Sequence, residues 1–197
     1  METNFYTMKT KPISYTDVII DNDQTVTKKC PMCGSVLGER KYDKYKLRFW
    51  GTREGDLLFS PDCHIVSFNL LKLLYDNKVS GFLENEIDCT GWYDRKGKRL
   101  QKDSSSYREL IITGRAGYLK NMEGIEIPKC PKCGAKDIPA AEKEKGFIVD
   151  EEWDGSDMFY FKNWPGMIII TEKVRCLLEK NKMKNVRFTI LAEYTFS

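Results

Sequence analysis

Two stretches of this chain carry one hydrophobic pattern. Ile65-Val66-Ser67 leads into Leu70, Leu71 and Leu74, and Ile169-Ile170-Thr171 leads into Val174, Leu177 and Leu178. In each, a short apolar run that predicts a buried strand gives way to apolar residues at i, i+3, i+4 or close to it, which share one face of a helix. Ser67 and Thr171 stand where the period changes. A hydroxyl there can accept from a free amide of the first turn, so helices are predicted from about Phe68 to Asp76 and from about Glu172 to Lys180. Asn77 and Asn181 follow, and asparagine suits the left-handed residue on which many helices end.

The likeness extends in both directions. Upstream, Gly55-Asp56-Leu57-Leu58-Phe59 resembles Ser156-Asp157-Met158-Phe159-Tyr160, each predicting a short strand after an acid. Downstream, closing strands are predicted over roughly Gly81 to Ile87 and Val186 to Tyr194. The second copy is longer around Asn163-Trp164-Pro165-Gly166, a turn-like stretch where an insertion is easily accommodated. Further strands are predicted over Lys46 to Trp50 and Glu109 to Thr113, and a short helical or solvated piece over Ala140 to Lys145. Asp94 to Ser106 is charged and turn-rich, which suits a connector. These elements predict an α+β fold of two similar strand–helix–strand halves, an internal duplication within a single domain 1–197. The first repeat would span about 28–92, the connector about 93–106 and the second repeat about 107–197.

Chemistry enters with the cysteines. Cys30-Pro31-Met32-Cys33-Gly34 and Cys130-Pro131-Lys132-Cys133-Gly134 match position for position. Two residues between cysteines let both sulfurs converge on one ion, and the following glycine permits a tight turn beneath it. Two such knuckles supply four thiolates, a full tetrahedral shell, so one structural zinc shared between the halves is the leading expectation. Four thiolates leave no open position for catalysis. Two alternatives stand beside it. Two separate zincs could each be completed by Cys63, His64, Cys89 or Cys176, and iron could occupy a rubredoxin-like half-site and make the chain an electron carrier.

The bulk composition excludes more than it proposes. Net charge is +3, from 32 basic and 29 acidic residues, which gives no electrostatic case for nucleic acid. No stretch approaches the roughly 20 apolar residues of a membrane span, and residues Met1 to Lys11 lack a secretory apolar run, so a cytoplasmic protein is expected. Seven cysteines in a reducing compartment favour metal ligation or free thiols over disulfides.

Other candidate sites are weaker. Cys63-His64 is a thiol beside the chain's single histidine, but neighbours on a strand point to opposite faces, and catalysis is not expected there. Cys176 adjoins the helix stripe and reads as a small core side chain. No phosphate loop, nucleophile elbow or zinc-protease motif is present, so no enzyme is expected. Asp150, Glu151, Glu152, Trp153 and Asp154 form the sharpest charge cluster, followed by Trp164. They read either as a solvated loop or as a partner-binding edge, with acids to steer and a tryptophan to anchor.

With both knuckles and the second-half pattern in hand, the chain resembles the double-CXXCG motif immunity proteins of bacterial toxin–immunity systems. The likeness rests on the two C-x-x-C-G knuckles, on the strand Leu110-Ile111-Ile112-Thr113-Gly114 before the second of them, and on the block Asp157-Met158-Phe159, Ile169-Ile170-Thr171-Glu172-Lys173 and Val186-Arg187-Phe188. It covers roughly residues 25–197. The resemblance implies a cytoplasmic protein that binds and neutralises a cognate protein toxin, with Cys30, Cys33, Cys130 and Cys133 as metal ligands. A zinc-ribbon-type nucleic-acid-binding or regulatory protein is the alternative.

Overall fold

The computed structural model describes residues 4–11, 15–21, 28–37, 44–61 and 63–196. Along the chain run β1 (Phe5–Lys9), β2 (Asp17–Ile20), the two-residue strands β3 (Lys28–Lys29) and β4 (Val36–Leu37), β5 (Tyr45–Trp50), β6 (Leu57–Leu58), β7 (His64–Ser67), helix α1 (Phe68–Asp76), β8 (Phe82–Asn85) and β9 (Ile87–Tyr93). Then come β10 (Tyr107–Ile112), β11 (Gly114–Ala116), β12 (Lys120–Asn121), α2 (Ile138–Ala141), β13 (Phe147–Ile148), β14 (Met158–Phe161), β15 (Trp164–Thr171), α3 (Glu172–Lys180) and β16 (Arg187–Ile190). The architecture is strand-rich α+β, as the pattern predicts.

Two sheets carry the fold. One has the order β11-β14-β15-β1-β16 and the other β6-β7-β10-β8. The sequence β14-β15-β1-β16 therefore matches β6-β7-β10-β8 strand for strand, with α3 and α1 following the second strand of each. The register agrees as well. Thr7 lies opposite Thr189 as Glu109 lies opposite Asn85, and Met8 lies opposite Phe188 as Leu110 lies opposite Glu84. The third strand of each sheet comes from the other half of the chain: β1 precedes the first knuckle yet sits beside β15, while β10 follows the 93–106 connector yet sits beside β7. A third sheet, β2-β5-β9, flanks the first half.

Burial follows from this arrangement. Val66 and Ile170 face a central core, while their neighbours Ile65 and Ile169 face two separate outer cores. Strands covered on both faces need unbroken apolar runs, which is why β7 and β15 show no alternation. Both helices press into the central core, with Leu70, Leu71 and Leu74 from α1 and Val174 and Leu178 from α3 fully buried. Leu177, expected in that stripe, is only half-buried.

The seam between the sheets is made by matched carboxylates. Asp56 Oδ1 accepts from the Ser67 hydroxyl and its Oδ2 accepts from the Lys184 amide at 2.6 Å, beyond α3. Asp157 Oδ1 accepts from the Thr171 hydroxyl and its Oδ2 from the Ser80 amide at 3.0 Å, beyond α1.

Several local expectations need correction. Helix bounds agree with the sequence reading, and Ser67 caps α1 by accepting from the Leu70 amide. Thr171 makes no such side-chain cap; its hydroxyl donates to Asp157, as that of Ser67 does to Asp56. Asn77 and Asn181 are not left-handed (φ −102 and −90); each side-chain amide donates to a carbonyl one turn back, and Lys78 and Lys182 take the positive φ instead. The expected strand Gly81 to Ile87 divides, with β8 pairing β10 and β9 pairing β5. Cys176 is exposed beside Glu172 rather than in the core, since it lies two positions from both Val174 and Leu178, on the opposite face of α3.

Candidate metal centre

Each knuckle is a turn closed by its own backbone. The Gly34 amide donates to the Cys30 carbonyl and the Cys30 amide to the Ser35 carbonyl, both at 2.8 Å; Gly134, Cys130 and Ala135 repeat both bonds at 2.8 Å. The glycines sit at φ 72 and 73, in the left-handed region that a side chain disfavours. The first knuckle is held by the β3–β4 hairpin, and the second by the bridge between Lys129 and Lys136. The second is tied further by Asp137, whose amide donates to the Pro128 carbonyl and whose carboxylate caps α2.

The two turns meet face to face. Cys30 Sγ lies 3.9 Å from Cys130 Sγ and Cys33 Sγ lies 3.5 Å from Cys133 Sγ, with all four sulfurs within 4.8 Å of one another. A tetrahedral ion with metal–sulfur bonds of about 2.3 Å would space its sulfurs about 3.8 Å apart, so the cluster fits one ion. Cys30 is buried and Cys33 exposed, so the cluster runs from the interior to the surface.

Electrostatics point the same way. The Ser35 hydroxyl and amide draw the Cys33 thiol down to about 6. Cys133 is pushed up to about 12: the Ala135 amide lowers it, but desolvation and the three neighbouring thiols outweigh that. Four sulfurs this close cannot all ionise without a cation among them. Ser35, one residue beyond the glycine, is a supporting group the motif alone did not single out.

The remaining soft donors lie elsewhere. Cys63 is buried beside Ser60, Cys176 is exposed beside Glu172, and Cys89 lies half-buried in β9. His64 opens β7, and its Nε2 lies 2.6 Å from the Tyr160 hydroxyl on β14. Burial holds its imidazole down at about 4. The four knuckle cysteines are thus brought together without any of these.

The acidic segment is largely engaged within the fold. Asp150 pairs with Lys120 at 2.5 Å, Glu152 with Lys162 at 2.6 Å, and Asp154 accepts from the Arg115 and Ser156 amides. Trp153 packs edge-on against Phe5 at 5.0 Å. Trp164 is 6% exposed, with Phe196 at 4.6 Å and Tyr194 at 5.1 Å, so it is a core residue and not a surface anchor. Its apolar neighbours come from the C-terminal aromatics, which the local sequence around Trp164 does not announce. Glu151 remains exposed.

Comparison with protein-family models finds no match to this chain, and comparison with curated proteins finds none. No helix among the described residues is long and apolar enough to cross a membrane.

Proposed function

We propose that this chain is a zinc-stapled immunity protein that neutralises a cognate bacterial toxin by covering its active site or substrate path. The observation that carries the reading is the convergence of both knuckles on one four-sulfur cluster, together with the resemblance of those knuckles and of the Asp157–Phe188 pattern to double-CXXCG immunity proteins. A closed four-thiolate shell makes the metal a structural element, which suits a scaffold that acts by binding. Zinc is the ion proposed, one per chain. With four thiolates it leaves two net negative charges, and Lys29, Lys129 and Lys132 lie next to the ligands in sequence. The residues that would hold it are Cys30, Cys33, Cys130 and Cys133. Iron in the same shell would absorb visible light, and zinc would not.

We infer further that the two halves arose by internal duplication with exchange of the third strand. Supporting this are the equal strand orders, the equal registers of β1 and β10, the paired Asp56 and Asp157, and the position-for-position meeting of the knuckles.

The test is co-expression with a panel of bacterial toxins, scored for growth rescue and co-purification. Rescue with a stable complex supports the reading. A folded, zinc-loaded protein that neither rescues nor co-purifies overturns it, and salt-sensitive nucleic-acid binding would then be measured.

A further inference from the structure

A cleft of about 780 Å³ opens at one end of the seam, between β1, β6 and β16. Its floor is apolar: Met8, Leu57 and Leu58 are buried, Met167 is half-buried, and Phe59 is 54% exposed at the rim. Its walls are cationic. Lys9, Lys11, Arg95 and Arg187 line it against a single acid, Asp17, and Arg95 neutralises that acid at 2.9 Å. Lys9 reaches the Tyr194 hydroxyl at 2.6 Å, while the Lys11 ammonium and the Arg187 guanidinium meet no carboxylate among the described residues.

Two facts set this end apart. Lys9 and Arg187 lie directly opposite each other on adjacent strands, a like-charge pair that destabilises a sheet. At the corresponding point of the other sheet the pair is Ile111 opposite Leu83, which raises no such conflict. The connections differ too. There, Thr113 alone separates β10 from β11, and β11 pairs in parallel with β14 over three residues; here, residues 10–16 separate β1 from β2, and β2 meets the chain just past β6 only through the parallel bridge of Asp17 to Phe59 and the bond from the Val18 amide to the Phe59 carbonyl.

We propose that this cleft binds a small organic anion, a carboxylate or phosphate joined to a compact apolar body. The anionic group relieves the repulsion between Lys9 and Arg187, with Lys11 as a third cation, and the apolar body rests on Met8, Leu57 and Met167. The volume lies within the range of ligand pockets, and the apolar floor beside charged walls suits a ligand that is apolar at one end and anionic at the other.

The experiment is calorimetric titration of the full metal-loaded chain at low salt with phenyl phosphate and benzoate, and with inorganic phosphate and benzyl alcohol as the separated halves of the ligand. Saturable binding of phenyl phosphate or benzoate, about tenfold or more tighter than either half, is expected, and the tighter of the two names the headgroup. Arg187→Leu and Lys9→Ile, which install the residues of the closed end, are expected to weaken binding about tenfold or more. Arg187→Leu should leave the ligand-free melting temperature equal or higher, because the repulsion is gone, whereas Lys9→Ile also removes the hydrogen bond to Tyr194. No saturation up to about 10 mM, equal binding of benzyl alcohol, or undiminished binding by a folded Arg187→Leu variant would each overturn the proposal.

Discussion

Asp157 and Ser80 join the two halves of the chain: one carboxylate oxygen of Asp157 accepts from the Ser80 amide at 3.0 Å, just beyond the end of α1. The same oxygen meets the Lys173 ammonium at 2.8 Å. Partial burial pushes this carboxyl up, and Lys173, the Ser80 amide and Thr171 more than offset it, so the group is held below the usual carboxylate range. Asp56 does the equivalent with the Lys184 amide beyond α3.

Asp157→Asn is therefore expected to destabilise the protein by about 2 kcal/mol, the scale of a charge-assisted hydrogen bond, and Asp56→Asn by a similar amount. Urea denaturation of each variant measures it. A loss under about 0.5 kcal/mol for both would mean that the seam is held by apolar packing alone.

Removal of the metal is expected to unfold the chain or lower its melting temperature by more than about 10 °C, since the free energy of filling a structural site is folding free energy. Cys30→Ser and Cys130→Ser should behave alike, because their sulfurs face each other at 3.9 Å. Cys176→Ser serves as the control: this thiol is exposed, so its replacement should shift stability by no more than about 0.5 kcal/mol. Native mass spectrometry should count one ion per chain. A count of two, or an unchanged melting curve after chelation, contradicts the shared structural site.

Glycines at two places should respond differently to alanine. At Gly134 the φ of 73 is unfavourable, but nothing lies within 4 Å of an added Cβ, so Gly134→Ala should cost about 1 kcal/mol of backbone strain. At Gly81 the φ is 89 and a Cβ would fall 2.0 Å from the Met158 carbonyl oxygen, inside the seam. Gly81→Ala should cost about 3 kcal/mol or more. Equal melting temperatures for the two variants would show that the seam yields easily.

His64 sets a pH dependence. Its imidazole is held at about 4 when folded, whereas an exposed histidine titrates near about 6.5. Between those values the unfolded chain binds a proton that the folded chain does not, so stability rises with pH through the window and is lost as pH falls through it. This accounts for about 2 kcal/mol of destabilisation between pH 7 and pH 5. His64→Gln, which keeps a polar group near the Tyr160 hydroxyl, should lose correspondingly less stability over that interval. Identical losses for variant and wild type would assign the acid sensitivity to the metal ligands instead.

What the sequence disclosed was local. Both long helices were readable to the residue, because a hydroxyl followed by apolar positions one helical turn apart is a short-range signal. The two cysteine turns were readable for the same reason: each knuckle contains its own turn chemistry. The placement of β1 beside β15 and of β10 beside β7 was not, since a strand's apolar pattern says that it is buried and not which strand it lies beside. Trp164, which the sequence leaves open as a partner anchor, is buried by Tyr194 and Phe196, a cover that arrives from the far end of the chain. The cleft is not legible in the sequence, because Lys9 and Arg187 become a conflict only when β1 is laid beside β16.

The position of β1 bears on how the chain comes into being. This strand leaves the ribosome early, but its neighbours β15 and β16 end at Thr171 and Ile190. At ordinary elongation rates it waits on the order of ten seconds for them. During that time its backbone amides and carbonyls lack their final partners, and β7 and β8 likewise lack the strand between them until β10 is made. The nascent polypeptide therefore passes through a stage in which neither half can close without its counterpart, and a truncated translation product would expose an unpaired strand to aggregation and proteolysis.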